Sequence, residues 1–493
     1  MKILLINPPQ SYYPDSDLVT GNLPLGLMYL AAVLDKEGYK VEILDAFMSD
    51  AAFHTVGDTI EVGLSYNKIR GEIQSRKPDL VGVANPFSSQ IEHAKKVAEV
   101  AKGVDPQIFT VVGGPHASVV PETFLQEAKS VDVAVIGEGE YILLDLVKFL
   151  GGTKKLQDIE GIAYRENGQI KLTHPRPFIK NLDELPYPAY HLVDMEQYLN
   201  PVKIEYRSFK PRALAMVTSR GCPYNCCFCS VHLHMGKAFR ANSAGYVADH
   251  LQFVVDKYRV KNVFFEDDNL TFDQKRMEAI CDQIVERKIK FNWETPNGVR
   301  ADRLNLELLK KMKKSGCRSV FFGIESGDQT VSDNIIHKDI DLAKVVEVAE
   351  MCKQIHLTSG GFYIIGFPGE KIENMKKTVE FGLMLKRDYN VGMHLLVATP
   401  SYGTKLYEEC MKKGYVKEDL TPRALAEVRQ TMGKPLIETE DFTAEDVQEI
   451  AAYAMKEYKR LSIINSVKYP RKTLDTLFHN PHIAVKFIKK ILA

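Results

Sequence analysis

Neither sign of charge is in excess in this 493-residue chain, where Lys plus Arg and Asp plus Glu both number 64. A nucleic-acid partner, which asks for a basic surplus, is therefore not indicated. No window approaches the ~18 uninterrupted apolar residues that a membrane span requires. Compositional bias is missing too: 45% hydrophobic and 26% charged residues suit folded domains rather than disorder. The opening MKILLINPPQ carries an apolar run far too short for a signal-peptide core and ends at two prolines, so it reads as a first strand. These absences predict a cytoplasmic chain without transmembrane segments. In that compartment disulfides are rare, and clustered cysteines hold metal or do redox chemistry.

What is present is a rhythm. Through the first 150 residues, apolar runs (MKILLINPP, YKVEILDAF, DLVGVANPF, IFTVVGGPH and VDVAVIGEGE) alternate with GLMYLAAVLDKEG, NKIRGEIQSRK and IEHAKKVAEVAK, whose apolar residues recur at helical spacing. That pattern predicts a doubly wound, Rossmann-like α/β domain over 1–150. Ligands of such sheets sit at the carboxyl ends of the strands, where these runs break into Asn7-Pro8-Pro9, Gly113-Gly114-Pro115-His116 and Gly137-Glu138-Gly139-Glu140. A connector follows over 151–205, with a hairpin around Asn167-Gly168 and prolines at 186 and 188. From Arg212 the alternation resumes with ALAMVTS, NVFFEDD, KFNWET, SVFFGIESG, SGGFYIIGFPG and VGMHLLVATP. Six such units over 206–415 predict a partial (β/α)6 barrel with its function at the strand carboxyl ends. A helical region is expected over 416–493. Its last part, from Lys456, sets nine Lys/Arg against two acidic residues, which suits a solvated helical cap or a peripheral membrane contact.

Four of the eight cysteines fall within eight residues of the stretch TSRGCPYNCCFCSVHLH. Cys222, Cys226 and Cys229 have C-x3-C-x2-C spacing, which lets three thiolates of one loop converge on an iron–sulfur cluster and leaves one iron open. Cys227 diverges from its neighbour and reads as a packed thiol, while Phe228 would shield the site. The alternative on local sequence is structural zinc completed by His232 or His234, in a carrier without catalysis. Further on, Glu266, Asp267 and Asp268 end the second barrel strand, and three adjacent carboxylates repel unless they meet a cation or donors; a solvated loop is the plainer reading. Gly323-Ile324-Glu325-Ser326-Gly327 ends the fourth strand, and the run Gly361 to Glu370, with Gly366 inside it, ends the fifth.

A C-x3-C-x-aromatic-C loop after the first strand of a six-unit barrel resembles the radical S-adenosylmethionine (SAM) superfamily. The resemblance implies that Cys222, Cys226 and Cys229 hold a [4Fe-4S] cluster whose open iron is chelated by SAM. It also implies that one of Glu266, Asp267 and Asp268 meets the SAM ammonium, although this chain lacks the family's usual Gly-Gly-Glu. Glu325 and Ser326 would lie near the SAM ribose and carboxylate, and the backbone around Gly366 near adenine. Together with LLINPP, GNLPLGLMYLAAVL, VVGGPHASVVPE, VDVAVIGEGE and the connector LDELPYPA, the pattern resembles the cobalamin-binding class of that superfamily. Asn7, Pro8, Ser88, Ser89, Gly113, Gly114, His116, Gly137 and Glu138 are then expected around cobalamin. Other cobalamin domains use D-x-H-x-x-G after the first strand; here Asn7-Pro8-Pro9-Gln10-Ser11 supplies no histidine, and His116 is the nearest imidazole.

The activity so implied is C-methylation of an unactivated sp3 carbon. One SAM yields the 5′-deoxyadenosyl radical, and a second remethylates cobalamin to methylcobalamin. A low-potential donor of ferredoxin or flavodoxin type is implied as partner. Size and domain order also resemble the glutamine C-methyltransferases of methyl-coenzyme M reductase, which would make the substrate a protein side chain. The alternative is an enzyme of the same class acting on a lipid, isoprenoid or tetrapyrrole, with or without methyl transfer.

Overall fold

The five apolar runs of the first 150 residues lie side by side as parallel strands. Their order is Lys40–Asp45, Lys2–Asn7, Leu80–Ala84, Phe109–Gly113, Val133–Val135. The computed structural model from which this is read describes residues 1–13, 23–49, 53–85, 87–200, 211–416, 420–431 and 435–468. In chain order the strands run 2-1-3-4-5, which puts a topological switch point between Lys2–Asn7 and Leu80–Ala84. Helices cover both faces of the sheet, and a separate apolar core fills each side. Near-continuous apolar strands are what a parallel sheet buried on both faces requires.

One edge departs from the expectation. The hairpin Ile162–Glu166/Gln169–Leu172, expected in a separate connector, pairs antiparallel with Val133–Val135 and extends the first sheet to seven strands. An edge strand offers unpaired N–H and C=O groups, and the hairpin covers them. A three-stranded antiparallel sheet of Gln10–Tyr12, Thr59–Val62 and Phe53–Val56 was not foreseen. Phe53–Val56 is exposed along its whole length, so no apolar alternation marks it. The boundary expected near 200 abuts residues 201–210, which lie outside the described residues.

The second sheet has six parallel strands in chain order: Ala213–Met216, Asn262–Phe265, Asn292–Val299, Cys317–Glu325, Thr358–Ile365 and Gly392–Val397. The first and last form its two edges, so the barrel is open. Ser243, Asp273, Asn305, Asp341 and Thr404 each accept an N–H from the first turn of the helix they precede. Such caps fix where the chain turns back along the outside of the sheet. Of the C-terminal region, Pro422–Thr431 and Ala444–Lys468 are helical, and the longer helix packs on Ile372–Tyr389. The basic tail from 469 onward lies outside the described residues. Among those described, no helix is long and apolar enough to cross a membrane.

The carboxyl-end loops of the two sheets meet. His116, after the fourth strand of the first sheet, stands edge-on to Tyr402, after the last barrel strand, with ring centres 5.3 Å apart. Gly137 approaches the cysteine loop at the His234 carbonyl.

Candidate active site between the two sheets

The cysteine loop leaves the first barrel strand through a two-residue ribbon, Ser219–Arg220 against Arg240–Ala241. Gly221 turns the chain with φ +82, and a Cβ there would lie 2.3 Å from the Ala238 carbonyl oxygen, which leaves room for glycine alone. Cys222, Cys226 and Cys229 are partly exposed and carry free thiols. Cys227 is buried; its N–H donates to the Ile336 carbonyl and its C=O accepts from Leu406. It is a packed residue, as its adjacency to Cys226 implies. Phe228 packs beside Phe367 with centres 5.9 Å apart.

Burial pushes the Cys229 thiol up to about 12. It raises Cys226 as well, where the charges of Lys338 and Arg300 act in the opposite direction. Asn269 Nδ2 lies 3.9 Å from Cys222 Sγ. This donor set, three accessible thiols on one loop with nearby cations and an amide donor, fits a thiolate-ligated iron–sulfur cluster. Among the described residues no three His, Cys, Asp or Glu side chains converge as they would around a single metal ion. A multi-iron cluster takes one thiolate per iron and spreads its ligands more widely.

The three carboxylates just past the second strand end meet different surroundings. Asp267 is 1% exposed and accepts from Thr218 N–H, Thr218 Oγ1 and Ser219 Oγ. It ties this strand end to the start of the cysteine loop and is fully used within the protein. Neither Glu266 nor Asp268 shares these partners; the Glu266 side chain meets Asn297. Burial, with the Asp267 charge adding to it, pushes Glu266 up to about 7 and Asp268 up to about 6. Asp268 as a whole is nevertheless exposed. A cation placed between these two would restore both to their charged form.

At the fourth strand end Glu325 adopts φ +67, a strained conformation for a residue with a Cβ, and accepts from Lys338 Nζ at 2.9 Å. Ser326 bonds to Thr378 and to the Asp328 backbone, so its hydroxyl is engaged internally. Gly366 and Phe367 both donate their N–H to Glu370 Oε2, while Glu370 Oε1 is buried without a partner. Burial raises Glu370 to about 7 from the usual 4.5. The folded protein then binds more protons than the unfolded chain between those values, so stability present below about pH 4.5 is lost as pH rises through 7. At ~1.4 kcal/mol per unit the loss reaches up to about 3 kcal/mol. Thermal unfolding of E370Q across pH 4–8 is expected to show a flatter profile than the parent; an identical slope would assign the dependence to other groups.

In the first domain, Asn7 Nδ2 donates to Asp45 Oδ1 at 2.9 Å, and the neighbouring Pro8 is buried. His116 Nδ1 and Ser88 Oγ are 2.9 Å apart, and burial lowers the imidazole to about 4. The loop histidine is thus a neutral hydrogen-bonding residue. Ser89 shares the single turn Ser88–Gln90. Gly114, at φ +130, passes so near Asn85 that a Cβ would stand 2.1 Å from its carbonyl oxygen. Both polar atoms of the Asn85 side chain are buried without a partner. An unsatisfied buried amide at the switch point is what a polar group of a bound cofactor would complete. Gly137 N–H donates to Ser118 Oγ, and both Glu138 oxygens are held within the protein by Arg220, Arg240 and the Ile179 N–H.

Asn85 falls at a strand-end break of the first sheet, where the sequence places ligands, whereas nothing in the sequence singles out Asn269, Arg300 or Lys338. Lys338 lies thirteen positions after Glu325 in an ordinary loop. Arg300 stacks over Tyr224 of the cysteine loop at 3.8 Å and donates to the Lys338 carbonyl; nothing local in sequence marks either.

Residues 22–147 match the family described as the B12 binding domain, and residues 216–382 match the radical SAM superfamily. An uncharacterised methyltransferase of Pyrococcus horikoshii is 33% identical over 100% of this chain and 98% of its own length. The cytidylyl-2-hydroxyethylphosphonate methyltransferase of Streptomyces wedmorensis is 30% identical, covering 84% of this chain and 82% of that protein. Among solved structures, the radical SAM methyltransferase TsrM from Kitasatospora setae, with cobalamin and a [4Fe-4S] cluster bound, superposes with a TM-score of 0.65. It shares 17% identity and covers 84% of this chain and 78% of that one.

Proposed function

The chain belongs to the cobalamin-dependent radical SAM methyltransferases, and from that premise we propose that it methylates an unactivated sp3 carbon held between its two sheets. The observation that carries this reading is the placement of three accessible thiols, Cys222, Cys226 and Cys229, in a loop that meets the carboxyl-end loops of the B12-binding domain. When bound, the cluster with SAM supplies a radical able to take hydrogen from carbon, and cobalamin supplies the methyl group.

The chain's own residues hold and orient. In this reading the three cysteines ligate the cluster, Asn269 donates toward the Cys222 sulfur, and Lys338 and Arg300 favour thiolate at Cys226. Asp268, and Glu266 beside Asn297, are the carboxylates left to meet the SAM ammonium, since Asp267 is spent on Thr218 and Ser219. Glu325 and the backbone at Gly366 border the same space. Phe228 against Phe367 keeps water from one flank. Asn85, Ser88, Ser89 and the Gly113-Gly114 turn contour the cobalamin site. A low-potential protein of ferredoxin or flavodoxin type delivers the electron.

For the acceptor, a protein glutamine side chain follows from chain size and domain order alone. A small molecule is favoured by the Streptomyces wedmorensis relative, named for a cytidylyl phosphonate substrate. Incubation of the reconstituted enzyme with methyl-labelled SAM and candidate acceptors is expected to give labelled product together with 5′-deoxyadenosine. Product formed without label would identify a rearranging or ring-closing enzyme of the same class instead.

A further inference from the structure

The cysteine loop is fastened at its base to the B12-binding domain by two carboxylates, Glu138 and Glu140, of which Glu138 holds both arginines of the ribbon. Arg220 and Arg240 are directly opposed in the two-residue ribbon that closes the loop, and both reach Glu138. Arg220 Nη1 lies 2.8 Å from Glu138 Oε1, and Arg240 Nη1 lies 2.8 Å from each Glu138 oxygen. The remaining capacity of Glu138 is taken by the Ile179 N–H at 2.7 Å. Arg220 Nη2 turns to Glu140 at 2.6 Å. Arg240 Nη2 donates to the Met235 carbonyl, inside the loop itself. The side chains are 4% to 11% exposed, and the guanidinium groups lie over Tyr29 and Phe178.

Two charges of each sign, sealed between domains, are an uneconomical way to gain stability, because well-packed apolar side chains of similar volume commonly do as well. What an ion cluster supplies and apolar packing lacks is direction: charge-assisted hydrogen bonds from two guanidinium groups to shared carboxylates constrain angle as well as distance. The direction here is informative. Glu138 sits in the Gly137-Glu138-Gly139 turn at the carboxyl end of a strand of the B12-binding sheet, while Arg220 lies two residues before Cys222.

We propose that Glu138, through Arg220 and Arg240, is a positioning residue that fixes the cysteine loop relative to the cobalamin site and so sets the geometry between the two cofactors. This rests on the reading of the two loops as cofactor-bearing. Glu138 itself touches neither reacting atom, since both its oxygens are occupied. Glu140 is bound to Arg220 alone, at 2.6 Å, so its loss leaves Arg240 and Glu138 joined.

The test is magnetic rather than catalytic. Full-length protein and E138Q are reconstituted anaerobically with iron, sulfide and cob(II)alamin, reduced until the cluster is paramagnetic, and compared by EPR with and without cobalamin. In the parent, cob(II)alamin is expected to alter the spin relaxation of the cluster. In E138Q, at equal iron and cobalt content, that effect is expected to fall at least twofold, with E140Q in between. Should E138Q not fold, the charge-free pair E138M/R240M, which fills the space with apolar side chains, takes its place with the same expectation. An unchanged interaction in the variant overturns the positioning role and leaves the functional reading standing. A parent protein that takes up no cobalamin or no iron overturns both.

Discussion

Alanine at any one of Cys222, Cys226 and Cys229 is expected to abolish 5′-deoxyadenosine formation, whereas alanine at Cys227 leaves most of it. The four thiols stand within eight residues, yet they are physically unlike. Three are partly exposed on one loop, and the fourth is buried with its backbone locked between Ile336 and Leu406. Each ligating thiolate serves one iron, so loss of one removes a third of the protein's ligation and leaves a second iron without a protein ligand. Desolvation raises the thiols of Cys226 and Cys229, Cys229 most plainly. Iron must therefore displace the protons, and a weakened cluster is lost rather than held loosely. Cys227→Ala removes one sulfur from a packed site, at a cost of about 1 kcal/mol. Iron content and 5′-deoxyadenosine yield after anaerobic reconstitution decide the matter together. Full SAM cleavage by C226A would remove the cluster assignment, and equal loss in C227A would show that the loop fails by misfolding.

The strands of both sheets were readable because parallel strands buried on two faces are written as apolar runs, and each run ends in residues unfit to continue it, such as Asn7-Pro8 or Gly113-Gly114. Chemistry carried by neighbours in sequence, above all the cysteine spacing, was readable for the same reason. Contacts made across the chain were not. Glu138 looked like one more polar residue in a cofactor loop; its partners stand 82 and 102 residues away, and the Arg220/Arg240 pairing exists only once the ribbon forms. Glu266, Asp267 and Asp268 looked interchangeable. Only the middle carboxylate reaches Thr218 and Ser219, a contact across the chain that nothing local announces. The Ile162–Leu172 hairpin was recognised as a hairpin, yet its place in the first sheet depended on a free edge that no local pattern announces.

The middle carboxylate carries the second large effect. Asp267→Ala leaves the Thr218 N–H buried without an acceptor, a penalty of about 1–3 kcal/mol. It also strips the nearest counter-charge from Arg276, whose guanidinium reaches the Thr218 carbonyl and hydroxyl. Removing one partner from such a buried charge arrangement costs about 3–5 kcal/mol. For a barrel of ~200 residues, at about 2–4 °C per kcal/mol, the melting temperature should fall by roughly 6–20 °C. Asp267→Asn should fall less, because its amide oxygen still accepts from Thr218 and because burial already raises the Asp267 carboxyl. The sign of the pH effect follows: with the folded pKa above the ordinary value of 3.8, stability present at lower pH declines as pH rises through the folded pKa, and D267N should lack that decline. Thr218 and Ser219 precede Cys222 by only a few residues, so D267A should also retain less iron than D267N at temperatures where both remain folded. Melting of D267A within 2 °C of the parent, with iron unchanged, would mean that the Arg276 network alone joins the second strand end to the cysteine loop.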